Sequence, residues 1–77
     1  VTVRLYAAAR AAAGQSEILV EPGRLDEILG AVAQNNSRLT EVFGQCSFLI
    51  DGVVKHEKNV PVLEHSIVDV LPPFAGG

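Results

Sequence analysis

One stretch restricts the fold of this chain more than any other. From Leu25 the apolar residues recur at Leu25, Ile28, Leu29, Val32 and Ala33, the spacing that puts them on one face of a helix. Asp26 and Glu27 sit in its first turn, where the positive end of the helix dipole favours carboxylates. Gly30 weakens the interior by about 1 kcal/mol relative to alanine. Asn35 and Asn36 are natural stops, because asparagine tolerates the left-handed conformation. A single long stripe of this kind cannot bury itself, so the rest of the chain must supply a sheet for it to cover.

The flanking runs are of strand type. Val1, Val3 and Leu5 alternate with Thr2, Arg4 and Tyr6, which predicts a first strand over residues 1–6. The alanine-rich Ala7–Gly14 predicts one or two helical turns stopped by a left-handed glycine. Glu17–Val20 reads as a second strand, broken by Pro22-Gly23. Beyond the main helix, Ser37–Gly44 predicts a short second helix, with Ser37 as its cap and Leu39, Val42 and Phe43 as its apolar face. Cys46–Ile50 and Val53-Val54 flank Asp51-Gly52, a tight-hairpin signal. Val60–Leu63, with Pro61, reads as an edge strand, and Ile67–Leu71 as a nearly continuous apolar, central strand. The expected architecture is α+β, a mixed sheet of about five strands with one main helix packed across one face.

Size limits the chemistry. A chain of 77 residues makes one small domain and buries only roughly 60% of the surface its unfolded form exposes. A deep active-site cavity would remove core that such a domain needs, so reactive groups are expected at an edge or an end. With 48% hydrophobic residues the chain is not disordered, and a net charge of −3 with both signs interspersed carries no nucleic-acid footprint. The lone Cys46 excludes an internal disulfide, and no apolar run is long enough for a membrane span. The N-terminal alternation is unlike a secretory signal, and a cytoplasmic location is expected.

The end of the sequence is its most informative segment. Residues 1–71 are expected to form the domain and residues 72–77 an extended tail. Pro72 and Pro73 resist refolding into helix or strand, and Phe74 and Ala75 lead to Gly76-Gly77, where every side chain is gone. Backbone without Cβ atoms passes through a narrow channel, and six extended residues reach at most roughly 20 Å. The Gly77 carboxylate, ionised at pH 7, becomes an electrophile once ATP converts it to an acyl-adenylate. A sulfur nucleophile would then give a thiocarboxylate, and an amine an isopeptide bond. A frayed, inert terminus is the plain alternative.

Other candidates carry less. Cys46 is a persulfide carrier or, more simply, a buried apolar thiol. His56 and His65 have no partners at metal-ligand spacing, and Lys55–Lys58 reads as a solvated loop. Arg10 either orients the first short helix or contacts a partner. Tyr6 and Leu71 either belong to the core or join the prolines and Phe74 in an exposed apolar patch facing a partner.

Taken together, VTVRLYAAARAAAG, LIDGVV and IVDVLPPFAGG resemble, in order and spacing over essentially the whole chain, the small subunit of molybdopterin synthase, the MoaD-like group of ubiquitin-like sulfur carriers. The resemblance implies a β-grasp (ubiquitin-like) fold. It implies that a MoeB-like adenylyltransferase activates Gly77 with ATP, that a sulfur donor protein supplies the sulfur, and that Gly77 becomes a thiocarboxylate. The tail would then enter a MoaE-like large subunit, in a heterotetramer, and deliver sulfur to a cyclic pyranopterin monophosphate. The catalytic side chains would lie on that subunit, with no cofactor held permanently by this chain. On the same ground Leu71, Pro72, Pro73, Phe74, Ala75, Gly76, Tyr6 and Arg10 would meet the partners. The sequence departs from the family at Ala11, where a glutamate is common, at Arg24 in place of a hydroxyl cap, and at His65-Ser66 in place of an acidic-glycine turn. A sulfur carrier for thiamine or cysteine synthesis, a protein modifier and a passive interaction module remain alternatives.

Overall fold

The computed structural model describes residues 1–73. Its elements run β1 (Thr2–Leu5), α1 (Ala7–Ala13), β2 (Glu17–Leu19), β3 (Gly23–Arg24), α2 (Leu25–Val32), α3 (Ser37–Phe43), β4 (Ser47–Ile50), β5 (Val53–Lys55), β6 (Pro61–Val62) and β7 (Ile67–Leu71). Five strands form one mixed sheet in the order β2-β1-β7-β4-β5. As its apolar run predicts, β7 is central. It pairs in parallel with β1, Leu5 opposite Val70, and antiparallel with β4, Ile50 opposite Val68.

The core lies on one side of this sheet. Val3, Leu5, Phe48, Ile50, Val68 and Val70 meet Ala9 from α1, Leu25, Ile28 and Leu29 from α2, and Leu39 and Phe43 from α3. The apolar stripe of α2 therefore faces the strands, as its period requires. Phe43 and Phe48 meet edge to face, with centroids 6.0 Å apart. Strand alternation puts Arg4, Leu49 and Asp69 on the opposite, helix-free face.

Local chemistry sets the corners. Gly14 adopts φ 77° and its N–H reaches Arg10 O at 2.9 Å, closing α1 with a left-handed cap. Asp51 and Gly52, at φ 49° and 83°, make the tight turn between β4 and β5. Three expectations need correction. First, α2 ends at Val32, before the asparagines, although Asn35 does take the left-handed conformation at φ 60°. Second, the cap of α3 is Asn36, not Ser37. Its Oδ1 accepts from Leu39 N at 3.0 Å while its Nδ2 donates to Ala12 O at 3.0 Å. An amide carries an acceptor and a donor on separate atoms, so Asn36 ties the end of α1 to the start of α3.

Third, the strand expected at 60–63 is shorter and lies outside the main sheet. It pairs with β3, where Pro22-Gly23 had marked only a break. Two-residue strands show no alternation in a sequence. The start of α2, where Arg24 stands in place of a hydroxyl cap, is satisfied in another way. The N–H groups of Leu25 and Asp26 donate to Val60 O at 2.9 Å and Lys58 O at 2.7 Å, and Glu27 Oε1 accepts from Arg24 N. Carbonyls from the loop before β6 thus satisfy donors that a helix start otherwise leaves unpaired.

Candidate functional site

β7 carries the chain to its C-terminal segment, and the two strands beside it position that exit. Leu71 ends β7 half-buried, Pro72 is buried and Pro73 is exposed. Of the residues assigned by sequence to the tail, Pro72 is thus covered by the domain. Pro72 and Pro73 border a shallow groove of about 210 Å³ with Ala8 of α1 and Arg38, Glu41 and Val42 of α3. Phe74, Ala75, Gly76 and Gly77 lie outside the described residues.

On the helix-free face, a polar cluster adjoins this exit. Asp69 is the only charged residue in β7 and is 9% exposed. Its Oδ1 accepts from Arg4 Nε at 2.6 Å and from the Tyr6 hydroxyl at 3.0 Å, and its Oδ2 accepts from Arg4 Nη2 at 3.0 Å. Parallel pairing of β1 and β7 puts Arg4 opposite Asp69, and a planar guanidinium fits a carboxylate with two parallel bonds. The bond from Arg4 holds the Asp69 carboxyl below its usual range, against a smaller upward push from burial. Arg4 is held still more firmly protonated by the same bond. The Tyr6 hydroxyl is pushed up, first by burial and then by donating to the carboxylate.

Tyr6 and Leu71 directly follow the paired Leu5 and Val70, so they share the exit end of the two central strands. Both are half-buried. Among the described residues, the large apolar side chains most open to solvent are Leu19, Val53, Val54 and Leu63. Of the patch expected around Tyr6, Leu71, the prolines and Phe74, Phe74 lies outside the described residues, and Pro73 is the exposed member among the rest. The Tyr6 hydroxyl is bound within the fold, and Pro72 is covered. Arg10 is exposed on α1.

Cys46 precedes β4 and is half-buried; its thiol donates to Val42 O at 3.1 Å, and burial pushes its pKa up. Both effects hold it protonated, which favours the apolar-thiol reading over a reactive thiolate. His56 and His65 are exposed, and His65 takes φ 71° in the turn before β7. The Lys58 ammonium lies 5.4 Å from the Phe48 ring centroid. Among the described residues, no helix is long and apolar enough to cross a membrane.

The reading of residue types missed Arg4 and Asp69. The signal was present: an aspartate inside IVDVL contradicts a fully apolar central strand and calls for a cationic or hydrogen-bonding neighbour.

No family model matches this sequence, and no curated protein does. Solved structures do. One is a chain from a complex of subunits 1 and 2 of molybdopterin-converting factor from Helicobacter pylori, with a TM-score of 0.73 and 22% identity over 99% of this chain and 96% of that one. Another is small archaeal modifier protein 1 from Methanosarcina acetivorans, with a TM-score of 0.78 and 24% identity over 99% and 94%. Its namesake from Haloferax volcanii gives a TM-score of 0.77 and 20% identity over 99% and 97%. With its helices on one face of a sheet whose first and last strands run parallel at the centre, this chain has the β-grasp, ubiquitin-like fold of those proteins.

Proposed function

We propose that this chain is a ubiquitin-like sulfur carrier of molybdenum-cofactor synthesis, acting through the carboxylate of Gly77. The observation that carries the reading is the Pro-Pro-Phe-Ala-Gly-Gly segment issuing directly from the central strand of a β-grasp body. A central strand is anchored on both sides, so the body serves as a rigid handle, and glycines at the end allow close approach to a reactive centre.

A MoeB-like adenylyltransferase transfers AMP from ATP to the Gly77 carboxylate and releases pyrophosphate. Sulfide then attacks the acyl carbon; the bond to AMP breaks, AMP and a proton leave, and a thiocarboxylate remains. A sulfur donor protein attacking through a persulfide gives an acyl disulfide instead, and a thiol reductant then cleaves its S–S bond to free the thiocarboxylate. A MoaE-like large subunit receives the tail and supplies the side chains for sulfur transfer to the pterin. The complex of subunits 1 and 2 from Helicobacter pylori supports a partner of that kind. A cytoplasmic location, where ATP is at hand, fits this activation. The likeness to small archaeal modifier proteins favours a second reading, in which the same adenylate is attacked by a lysine of a target protein.

Intact-mass measurement separates these readings. Incubation with the adenylyltransferase, ATP and sulfide is expected to raise the mass by the difference between sulfur and oxygen. Sulfur loss that requires both the pterin and the large subunit establishes the molybdopterin route. Ladders on other proteins establish conjugation instead, and an unchanged mass refutes a carrier of either kind.

A further inference from the structure

We propose that Arg4, Asp69 and Tyr6 form a positioning network that fixes the direction in which the chain leaves β7, and so presents the terminal acyl group to the activating enzyme. The inference deepens the carrier reading and rests on it. Three features converge on the corner between β1 and α1. Tyr6 is extended, at φ −125° and ψ 153°. The next residue, Ala7, takes φ 50°, a left-handed conformation that strains a residue bearing a Cβ. The Tyr6 carbonyl accepts from both Ala9 N at 3.0 Å and Arg10 N at 3.4 Å. A strained corner persists only where its surroundings over-determine it.

The surroundings here include the hydroxyl bond to Asp69, an anchor within the strand that the corner adjoins. Tyr6 directly follows Leu5, the partner of Val70, and Ala8 borders the same groove as Pro72 and Pro73. The corner therefore flanks the chain from Leu71 to Pro73. Asp69 is in turn fixed by the two bonds from Arg4. The result is a continuous connection from β1 through β7 to the exit. Ordering this root before docking removes part of the conformational cost of delivering the end. A small misdirection at the root grows with distance along the tail, and reaction rates are sensitive to errors of about 1 Å.

Two variants separate this role from simple support of the fold. Tyr6→Phe removes one oxygen and leaves the ion pair. Asp69→Asn keeps an oxygen for the Tyr6 hydroxyl but sets an amide N–H against Arg4 Nη2. Each is compared with the unaltered chain in ATP–pyrophosphate exchange by the adenylyltransferase, with kcat and KM measured separately, and in urea unfolding. The same chains shortened by Gly76 and Gly77 serve as inhibitors that report docking of the body alone.

Tyr6→Phe is expected to lower kcat by about three- to tenfold, with the shortened chain's inhibition constant unchanged and little change in the urea midpoint. Asp69→Asn is expected to lose more stability and less turnover. An unchanged kcat in Tyr6→Phe, or turnover losses that follow stability losses across both variants, overturns the positioning role. A weaker inhibition constant for shortened Tyr6→Phe overturns it in favour of direct contact between hydroxyl and enzyme. Absence of exchange with the unaltered chain removes the carrier reading, and this inference with it; exchange with that chain alongside any of the other adverse results removes only the inference.

Discussion

The two ends of β7 are each held by a carboxylate, and they are held differently. At the leading end, Asp51 Oδ1 accepts from Ile67 N at 2.9 Å and its Oδ2 from Ser66 Oγ at 2.8 Å. Asp51 N also donates to Ile67 O at 2.9 Å, so the β4–β5 turn is fastened to the backbone where β7 begins. Toward the trailing end, Asp69 is fastened to side chains, Arg4 and Tyr6, on the neighbouring parallel strand. Each end also has a left-handed residue other than glycine beside it, His65 at the first and Ala7 at the second. The contrast separates a joint that only closes the fold from one that adjoins the proposed reactive segment. A backbone clamp fixes register, whereas a side-chain clamp adjusts what lies next to it.

The largest expected effect sits at neither joint. Deleting Gly77 is expected to abolish sulfur loading completely, read by intact mass, while unfolding free energy changes by less than about 0.5 kcal/mol. A large stability loss would make the terminal segment a structural part of the body and erase the distinction between handle and end.

The next effect tests whether the two carboxylates differ in weight. Asp69→Asn is expected to cost about 1–3 kcal/mol in urea unfolding, because it breaks charge-assisted bonds at a nearly buried site. Asp51→Asn, at an exposed turn, is expected to be milder and to leave loading unchanged. If loading fell with Asp51→Asn, the leading end would have to be counted in the delivery of the tail.

Acid sharpens the same comparison. Both carboxyls titrate below their ordinary range, Asp51 because Ile67 N–H and then the Ser66 hydroxyl donate to it, and Asp69 chiefly because Arg4 does. The unfolded chain therefore binds protons first as pH falls. The stability from both groups is complete above the unfolded value of about 4 and is lost progressively as pH drops through the lower folded values. Urea midpoints measured from pH 7 downward are expected to fall through this range. The fall is expected to be shallower in either Asp→Asn variant, and an unchanged acid limb in both would contradict the depressed values.

The smallest effect concerns the strained turn. His65→Gly, at φ 71°, is expected to raise stability by about 0.5–1 kcal/mol, since relief of left-handed strain exceeds the entropy that glycine adds to the unfolded chain. Loading is expected to stay unchanged. Destabilisation would mean that the imidazole, exposed as it is, makes a compensating interaction.

Much of the fold was legible in the sequence because local chemistry acts at short range. The stripe from Leu25 to Ala33, the hairpin at Asp51-Gly52, the stop at Gly14 and the central character of Ile67–Leu71 each follow from residues within a few positions of one another. The proline- and glycine-rich ending, too, was legible as composition. Pairings between distant segments were not. The β3–β6 ribbon, the loop carbonyls that start α2 and the bridge made by Asn36 all depend on residues far apart in the chain. The same holds for Arg4 and Asp69, which lie 65 positions apart. Alternation put each on a face, but only the parallel register of β1 on β7 made those faces one and brought the charges together. Periodicity states which way a side chain points along its own strand; its partner is chosen by how the strands pack, and that choice belongs to the tertiary structure.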